Sequence, residues 1–380
     1  MLLFLTQDTV KGGSEVSDLK SITPPPYYQE SENTYYYYDP EVSDSRLDLI
    51  FRQLNRFTCL KFARQKSKVV GKIGINFEIS PNENKVELSR SLKTPTTVFL
   101  KKDDYKNGTL LRLFIGFALD IVPEVGRPDR ENEVTVNLEN IDDKYQKYYK
   151  LESVDNTTYL KDTEFDFKSP MFFSSEFGSK EKKPTYTVKL YKEYEYFSNG
   201  GKVFRHNDYK HIYYYYCTNS RNVTHDCMYG GYPLPDEPTK CSCPEYLDGN
   251  KCEKLKQNED DCMSEQQNIT AKENEVEREL KIKKGVCYFN ISSENNENVS
   301  ITIKKLVLKN SDCETYKSNV EVLVRKDKGA AGINLCKDNN SSISLPILYK
   351  EVFLVFKNRE ENTELKFSYK TVNGKKPDTS

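Results

Sequence analysis

His206, His211 and His225 are the only imidazoles in the 380 residues. Their spacings of five and fourteen do not bring them onto one helical face, so no zinc site follows from them; they read as structural or solvent-facing. No Gly-rich phosphate loop and no Gly-x-Ser-x-Gly elbow occurs, so the catalytic classes built on those motifs have no foothold. Cysteine is the reactive residue in abundance. Nine of the ten lie between Cys217 and Cys336, the density of disulfide-bonded extracellular modules, and the even count leaves no obligatory free thiol. Asn-x-Ser/Thr acceptors begin at Asn107, Asn156, Asn222, Asn268, Asn290, Asn298, Asn339 and Asn340, and glycans on them would require surface loops in the secretory pathway.

The 57 basic and 58 acidic residues nearly cancel, so no global field favours nucleic acid or an anionic membrane. No apolar run approaches the roughly 20 residues of a membrane span. The start, Met1-Leu-Leu-Phe-Leu-Thr-Gln-Asp8, has four apolar residues after the initiator, too few for a signal-peptide core, and reads as a truncated or misassigned start of a secreted chain.

Several elements are legible. The segment 1–41, with Pro24-Pro25-Pro26 and Tyr35 to Tyr38, shows no sustained period and reads as a tail or propeptide remnant. Leu47, Leu49, Ile50 and Leu54 predict an amphipathic helix from Arg46, and Cys59-Leu-Lys-Phe62 a strand. A second helix is predicted over about Leu110 to Ile121, then a short strand over Glu133 to Asn137. The composition changes near residue 217, marking a domain boundary, and Glu253 to Asp261 reads as a linker. Alternation in Val299–Ile303, Val320–Val324 and Val352–Phe356 predicts a final β-sandwich.

Gly126-Arg-Pro-Asp-Arg130, followed by Val134-Thr-Val-Asn137 and Asn140-Ile141, resembles the sequence that follows the zinc-binding helix of the astacin zinc metalloendopeptidases. Phe57-Thr-Cys-Leu-Lys-Phe62 is similar to the family's Thr-Cys strand, and Phe165 to Phe173 to its Met-turn. In that register the His-Glu-x-x-His-x-x-Gly-x-x-His motif places its histidines at Leu113, Phe117 and Pro123, its glutamate at Phe114 and its glycine at Asp120. Ala118, Leu119 and Glu124 match the family, as do Arg127, Asp129, Arg130, Ser169 and Met171. The Met-turn histidine has become Phe172 and its zinc-proximal tyrosine Phe173.

Leu113, Phe117 and Pro123 have no lone pair for zinc, and Phe114 cannot take a proton from a metal-bound water. The resemblance therefore implies an astacin scaffold with an apolar plug in its cleft, no catalytic residue and no cofactor, although active relatives carry zinc. It also implies that Glu124 keeps the scaffold contact which, in the family, pairs it with the mature N-terminus; a solvated side chain is the bland alternative.

From the family the pairing Cys59–Cys217 is implied. Cys227 to Cys252 resembles the epidermal-growth-factor-like (EGF-like) module that follows nematode astacins, implying Cys227–Cys241 and Cys243–Cys252. Cys262 with Cys287 and Cys313 with Cys336 match the spacing of a CUB β-sandwich, though a different small β-sandwich also suits it. The expected fold class is α+β: an astacin-like, metzincin-type domain over 42–217, an EGF-like module over 218–255 and a CUB-like β-sandwich over 262–372. The expected role is a secreted pseudoprotease binding extracellular proteins, such as substrates or inhibitors of active astacins. Competing readings are an active zinc metalloendopeptidase, whose ligands lie outside this register or were lost to a sequence error near 110–123, and a decaying copy without function.

Overall fold

The computed structural model describes residues 23–29, 32–42, 45–191, 194, 201–217, 226–259, 262, 266–282, 284–308, 313, 318–358 and 363–373. The N-terminal body is built on β1 (Thr34–Tyr38), β2 (Phe62–Arg64), β3 (Gly74–Ile79), β4 (Lys85–Glu87) and β5 (Thr96–Leu100). Their order is β2-β1-β3-β5-β4, and β4 alone runs antiparallel to its neighbour. Helix α1 (Ser45–Phe57) buries Leu47, Ile50, Phe51 and Leu54, the i, i+3, i+4, i+7 stripe of an amphipathic helix. Helices α2 (Gly108–Ala118) and α3 (His206–Cys217) follow, with the pair β6 (Val134–Val136) and β7 (Tyr186–Val188) between them.

Two expectations need correction here. The supposed tail contains β1, which lies inside the sheet between β2 and β3. Its tyrosines show no polar alternation because both faces are covered; Tyr36 stacks on Phe51 at 4.0 Å and donates to Asp48 at 2.7 Å. Ahead of it, buried Tyr27 donates to the Ala118 carbonyl at 2.8 Å. The strand expected over 59–62 begins only at Phe62, because the side chains of Thr58 and Asn55 capture the amides of Leu60 (3.2 Å) and Phe62 (2.8 Å) and turn the chain out of α1.

A small module of two-residue strands, β8 (Tyr232–Pro233) with β9 (Cys241–Ser242) and β10 (Leu247–Asp248) with β11 (Lys254–Leu255), follows. The supposed linker thus includes β11, and Asn258 accepts from the Tyr288 amide at 2.6 Å, which pins it to the next domain. That domain is two stacked sheets. One comprises β12 (Asn268–Ala271), β14 (Gly285–Ser293), β16 (Ser318–Leu323), β17 (Ile333–Leu335) and β19 (Glu351–Asn358); the other β13 (Val276–Ile282), β15 (Asn298–Val307), β18 (Ile343–Ser344) and β20 (Thr363–Val372). Strands β14 and β15 alternate buried and partly exposed, the mark of a half-covered sheet. Strand β16 is buried at every position, because its outer face meets the rest of the molecule. Leu323, Phe353 and Val355 pack there against Tyr246, Leu247 and Cys252 of the small module.

Five disulfides join Cys59 to Cys217, Cys227 to Cys241, Cys243 to Cys252, Cys262 to Cys287 and Cys313 to Cys336. Noncovalently, the sandwich grips the N-terminal body through the loop after β16. Arg325 makes a two-pronged contact to Glu133 (3.0 and 2.7 Å) and a third bond to Glu164 (3.2 Å). The backbone amides of Glu164 and Asp327 each donate to the other's side-chain carboxylate at 3.0 Å, and Asn207 donates to Asp327 at 2.7 Å. Gly329 passes so near α3 that a Cβ would lie 2.3 Å from the Asn207 side-chain oxygen.

Arg325→Ala leaves Glu133 buried without its partner, and the expected loss is roughly 3–5 kcal/mol in chemical unfolding. Lys102→Ala, which removes a 2.8 Å pair with Glu41 exposed on both sides, should cost less than about 1 kcal/mol. Equal losses would mean the loop is not a grip.

Candidate functional site

Helix α2 starts where the Asn107 side chain accepts from the amides of Thr109 and Leu110, both at 3.1 Å. It carries buried residues from Leu111 through Ala118, so it is covered on every side. It ends three residues before the expected Ile121. Asp120 adopts φ +58°, its amide bonds to the Phe117 carbonyl and that of Ile121 to Gly116, both at 3.0 Å. This is a Schellman closure, which needs a left-handed residue. Asp120 thus takes the turn position that the family motif gives to glycine.

The closure sends the chain through half-buried Pro123 to Glu124, whose amide bonds to the Met171 carbonyl at 3.0 Å. Ser169, Met171, Phe172 and Phe173 form the turn beneath α2, with Met171 against Gly116 so tightly that a Cβ on that glycine would lie 2.2 Å from the sulfur. The α2 and Met-turn positions of the motif are thereby joined through rings. Phe114 and Phe117 meet edge-on at 5.6 Å, and Phe177 bridges them (6.5 Å to each) to Phe173 (4.5 Å). Tyr148 stacks on Phe117 at 4.5 Å, and Tyr149 meets Phe173 at 5.1 Å. Leu113, Phe114, Phe117 and Phe173 are all buried.

These residues do not fit zinc. Carbon stands at each of the three donor positions, and rings pack where a metal-bound water would have to reach a base. Among the described residues no group of three or more His, Cys, Asp or Glu side chains converges as a metal site. Two histidines serve the scaffold: His206 shares a 2.9 Å bond with the Gly230 carbonyl, and burial holds its pKa down at about 4. His211 lies 2.8 Å from the Thr163 hydroxyl, and burial pushes its pKa well below the ordinary imidazole value. His225 lies outside the described residues.

The retained polar residues form a second layer. Glu124 is buried rather than solvated; it accepts from the Asp166 amide at 3.1 Å and lies 3.7 Å from Arg127, while burial raises its pKa to about 8. Arg127 forks onto Asp129 at 2.8 and 2.9 Å and reaches the Thr163 carbonyl at 2.9 Å. Arg130 ties the Val125 and Tyr149 carbonyls together. Ser169 donates to Asp208 at 2.5 Å, and Asp208 also caps α3 by accepting from the Arg205 amide at 2.7 Å. Sequence reading missed Phe177 and the Tyr148–Tyr149 pair; the spacing of Tyr145, Tyr148 and Tyr149 was the available signal of an aromatic face. Of the glycan acceptors, Asn107, Asn268 and Asn340 are exposed, and Asn156, Asn298 and Asn339 are partly buried. The Asn290 amide donates to Glu351 at 2.8 Å, and Asn222 lies outside the described residues.

Phe114→Ala should cost roughly 3–5 kcal/mol and Phe177→Ala, at a partly buried ring, less, and the double variant should fall short of their sum, because one cavity serves both. Strict additivity in the unfolding data would dissolve the plug into independent contacts. Asp208 ionises at 3.8 when unperturbed, but burial pushes its folded pKa to about 7. The unfolded chain loses this proton first, so the residue's contribution to stability falls as pH rises from about 4 to about 7, then levels off. Asp208→Asn should remove that slope; an unchanged slope would assign it to another group.

The sequence matches the Astacin peptidase family over residues 26–217, half of the chain. Similar proteins include the zinc metalloproteinase dpy-31 of Brugia malayi, 27% identical over 210 residues that cover 55% of this chain and 34% of that protein. Another is the zinc metalloproteinase nas-31 of Caenorhabditis elegans, 23% identical over 271 residues covering 68% and 43%. The chain therefore spans well under half the length of these relatives. Among solved structures, high choriolytic enzyme 1, a hatching enzyme zinc-protease from the medaka Oryzias latipes, aligns over 48% of this chain and 88% of its own at 20% identity and a TM-score of 0.38. The CUB1-EGF-CUB2 region of human MASP-1/3 aligns over 38% and 49% at 14% identity and a TM-score of 0.22. On the family match, together with the helix, Schellman turn and Met-turn that occupy its motif positions, this chain belongs to the astacin family of peptidases.

Proposed function

We propose that this chain is a secreted, glycosylated pseudoprotease: an astacin scaffold that binds extracellular proteins without cutting them. The observation that carries the reading is the replacement of donors and base by Leu113, Phe114, Phe117 and Pro123, with Phe173 in place of the tyrosine; Phe114, Phe117 and Phe173 join one packed aromatic cluster through Phe177. Hydrolysis by this family's chemistry needs a metal-bound water, a carboxylate to take its proton and a hydroxyl for the oxyanion. None of the five side chains can supply any of these. The residues that hold the backbone in shape, Glu124, Arg127, Arg130, Ser169 and Met171, are kept, which favours a selected scaffold over a decaying copy.

Secretion is supported by five disulfides, which persist in oxidising compartments. The two-hairpin module fits an EGF-like reading and the two-sheet domain a CUB-like one. Both are module types suited to protein contacts, and the partners we favour are substrates or inhibitors of active astacins.

Zinc content of the chain secreted from a eukaryotic host tests the proposal, beside a variant carrying L113H, F114E, F117H and P123H. We expect the natural chain to be metal-free and inert on peptide substrates and the restored chain to gain zinc. One zinc per natural chain together with peptide cleavage would overturn the reading, whatever the variant does.

A further inference from the structure

The three modules meet at a cleft of about 260 Å³. Lys168, Lys202 and Arg205 reach it from the N-terminal body and Lys357 from β19, facing the carboxylates Glu245 and Glu321. The two carboxylates differ. Glu321 is buried and fully engaged, accepting from Lys168 at 2.8 Å, from the Gly332 amide at 3.1 Å and from the Tyr246 hydroxyl. Glu245 has a half-exposed side chain that bridges Lys357 at 3.0 Å and Arg205 at 3.5 Å.

Arg205 is poorly paired. A guanidinium offers five N–H donors in a rigid fork, yet its Nε is buried with no hydrogen-bond partner among the described residues, and Glu245 is held only at the long 3.5 Å. An unpartnered buried donor is unfavourable, and the guanidinium fork that borders the cleft matches two oxygens of a phosphate or sulfate. The Lys202 amine is already bonded to the Phe167 and Phe172 carbonyls and burial lowers its pKa to about 7, so it offers the anion no direct contact.

We infer that this cleft binds a tetrahedral oxyanion, phosphate or sulfate, either free or carried as a sulfate ester on a sugar. The anion sits between Arg205 and Lys357, in the seat that the Glu245 carboxylate partly fills. Glu245 swings into solvent as the ligand enters, while Lys168 stays paired with Glu321. Because the wall is assembled from all three modules, the ligand binds only their docked arrangement and stabilises it by mass action.

The test is calorimetric titration and thermal unfolding of the full chain with sodium sulfate and with a heparin disaccharide, each against sodium chloride at equal ionic strength. Saturable one-to-one binding beyond the chloride baseline is expected from at least one of them. It should weaken about tenfold or more in Lys357→Gln and tighten several-fold in Glu245→Gln, which removes the competing negative charge from the seat. Both variants lie on the rim, so the result does not depend on how the chain tolerates a change at Arg205. Preference for the disaccharide assigns the site to a sugar-borne sulfate, and equal binding assigns it to the free ion. No binding above chloride by either ligand, or a response unchanged in Lys357→Gln, overturns the inference.

Discussion

Arg325 must keep its positive charge, since a guanidinium stays protonated even when water is removed from around it. Once the sandwich places it inside the molecule, only carboxylates from elsewhere can meet it, and the N-terminal body supplies Glu133 and Glu164. The pairing fixes how the loop from Arg325 to Gly332 enters the body, demands the bare backbone at Gly329, and brings Asp327 to Asn207 at the start of α3. The outer face of β16 and β19 is then committed as well: charged at Glu321, where it meets Lys168, and apolar at Leu323, Phe353 and Val355, where it meets the small module. The three modules therefore behave as one packed object rather than beads on a string, and the charged cleft at their junction is a product of the same docking.

The candidate site has two layers with opposite chemistry. At the motif positions apolar side chains stand where donors are expected, and they pack because an unligated polar pocket would be costly to bury. Behind them, Glu124, Arg127, Ser169 and Asp208 are still hydrogen-bonded and buried. The second layer's bonds run from one protein group to another, so the scaffold could lose one layer and keep the other.

How much of this was legible in the sequence varied with the physics of each element. Helix α1 was readable because one face is apolar and the other meets water, and the sandwich strands because alternation survives wherever one face of a sheet is exposed. The motif register was readable because Gly126 to Arg130 is distinctive. Strand β1 was missed for the reason that makes it central: with both faces covered, Tyr35 to Tyr38 show no period, and a tyrosine run resembles low complexity. The grip at Arg325 was illegible because Arg-Lys-Asp-Lys reads as a solvated charge run unless its distant partners are known. Phe177 was invisible for a related cause, since its role comes from the rings of Phe114, Phe117, Tyr145, Tyr148 and Phe173, which meet it only in three dimensions.

The bond between Cys59 and Cys217 spans 158 positions and ties the exit of α1 to the last residue of α3. Such a link restricts the unfolded chain, but it also has a consequence for wear. A single cut anywhere from residue 60 to 216 leaves both pieces covalently attached, and the packed rings and ion pairs hold them in register. On the proposed reading, in which the scaffold works by contact, a nicked molecule remains a competent one.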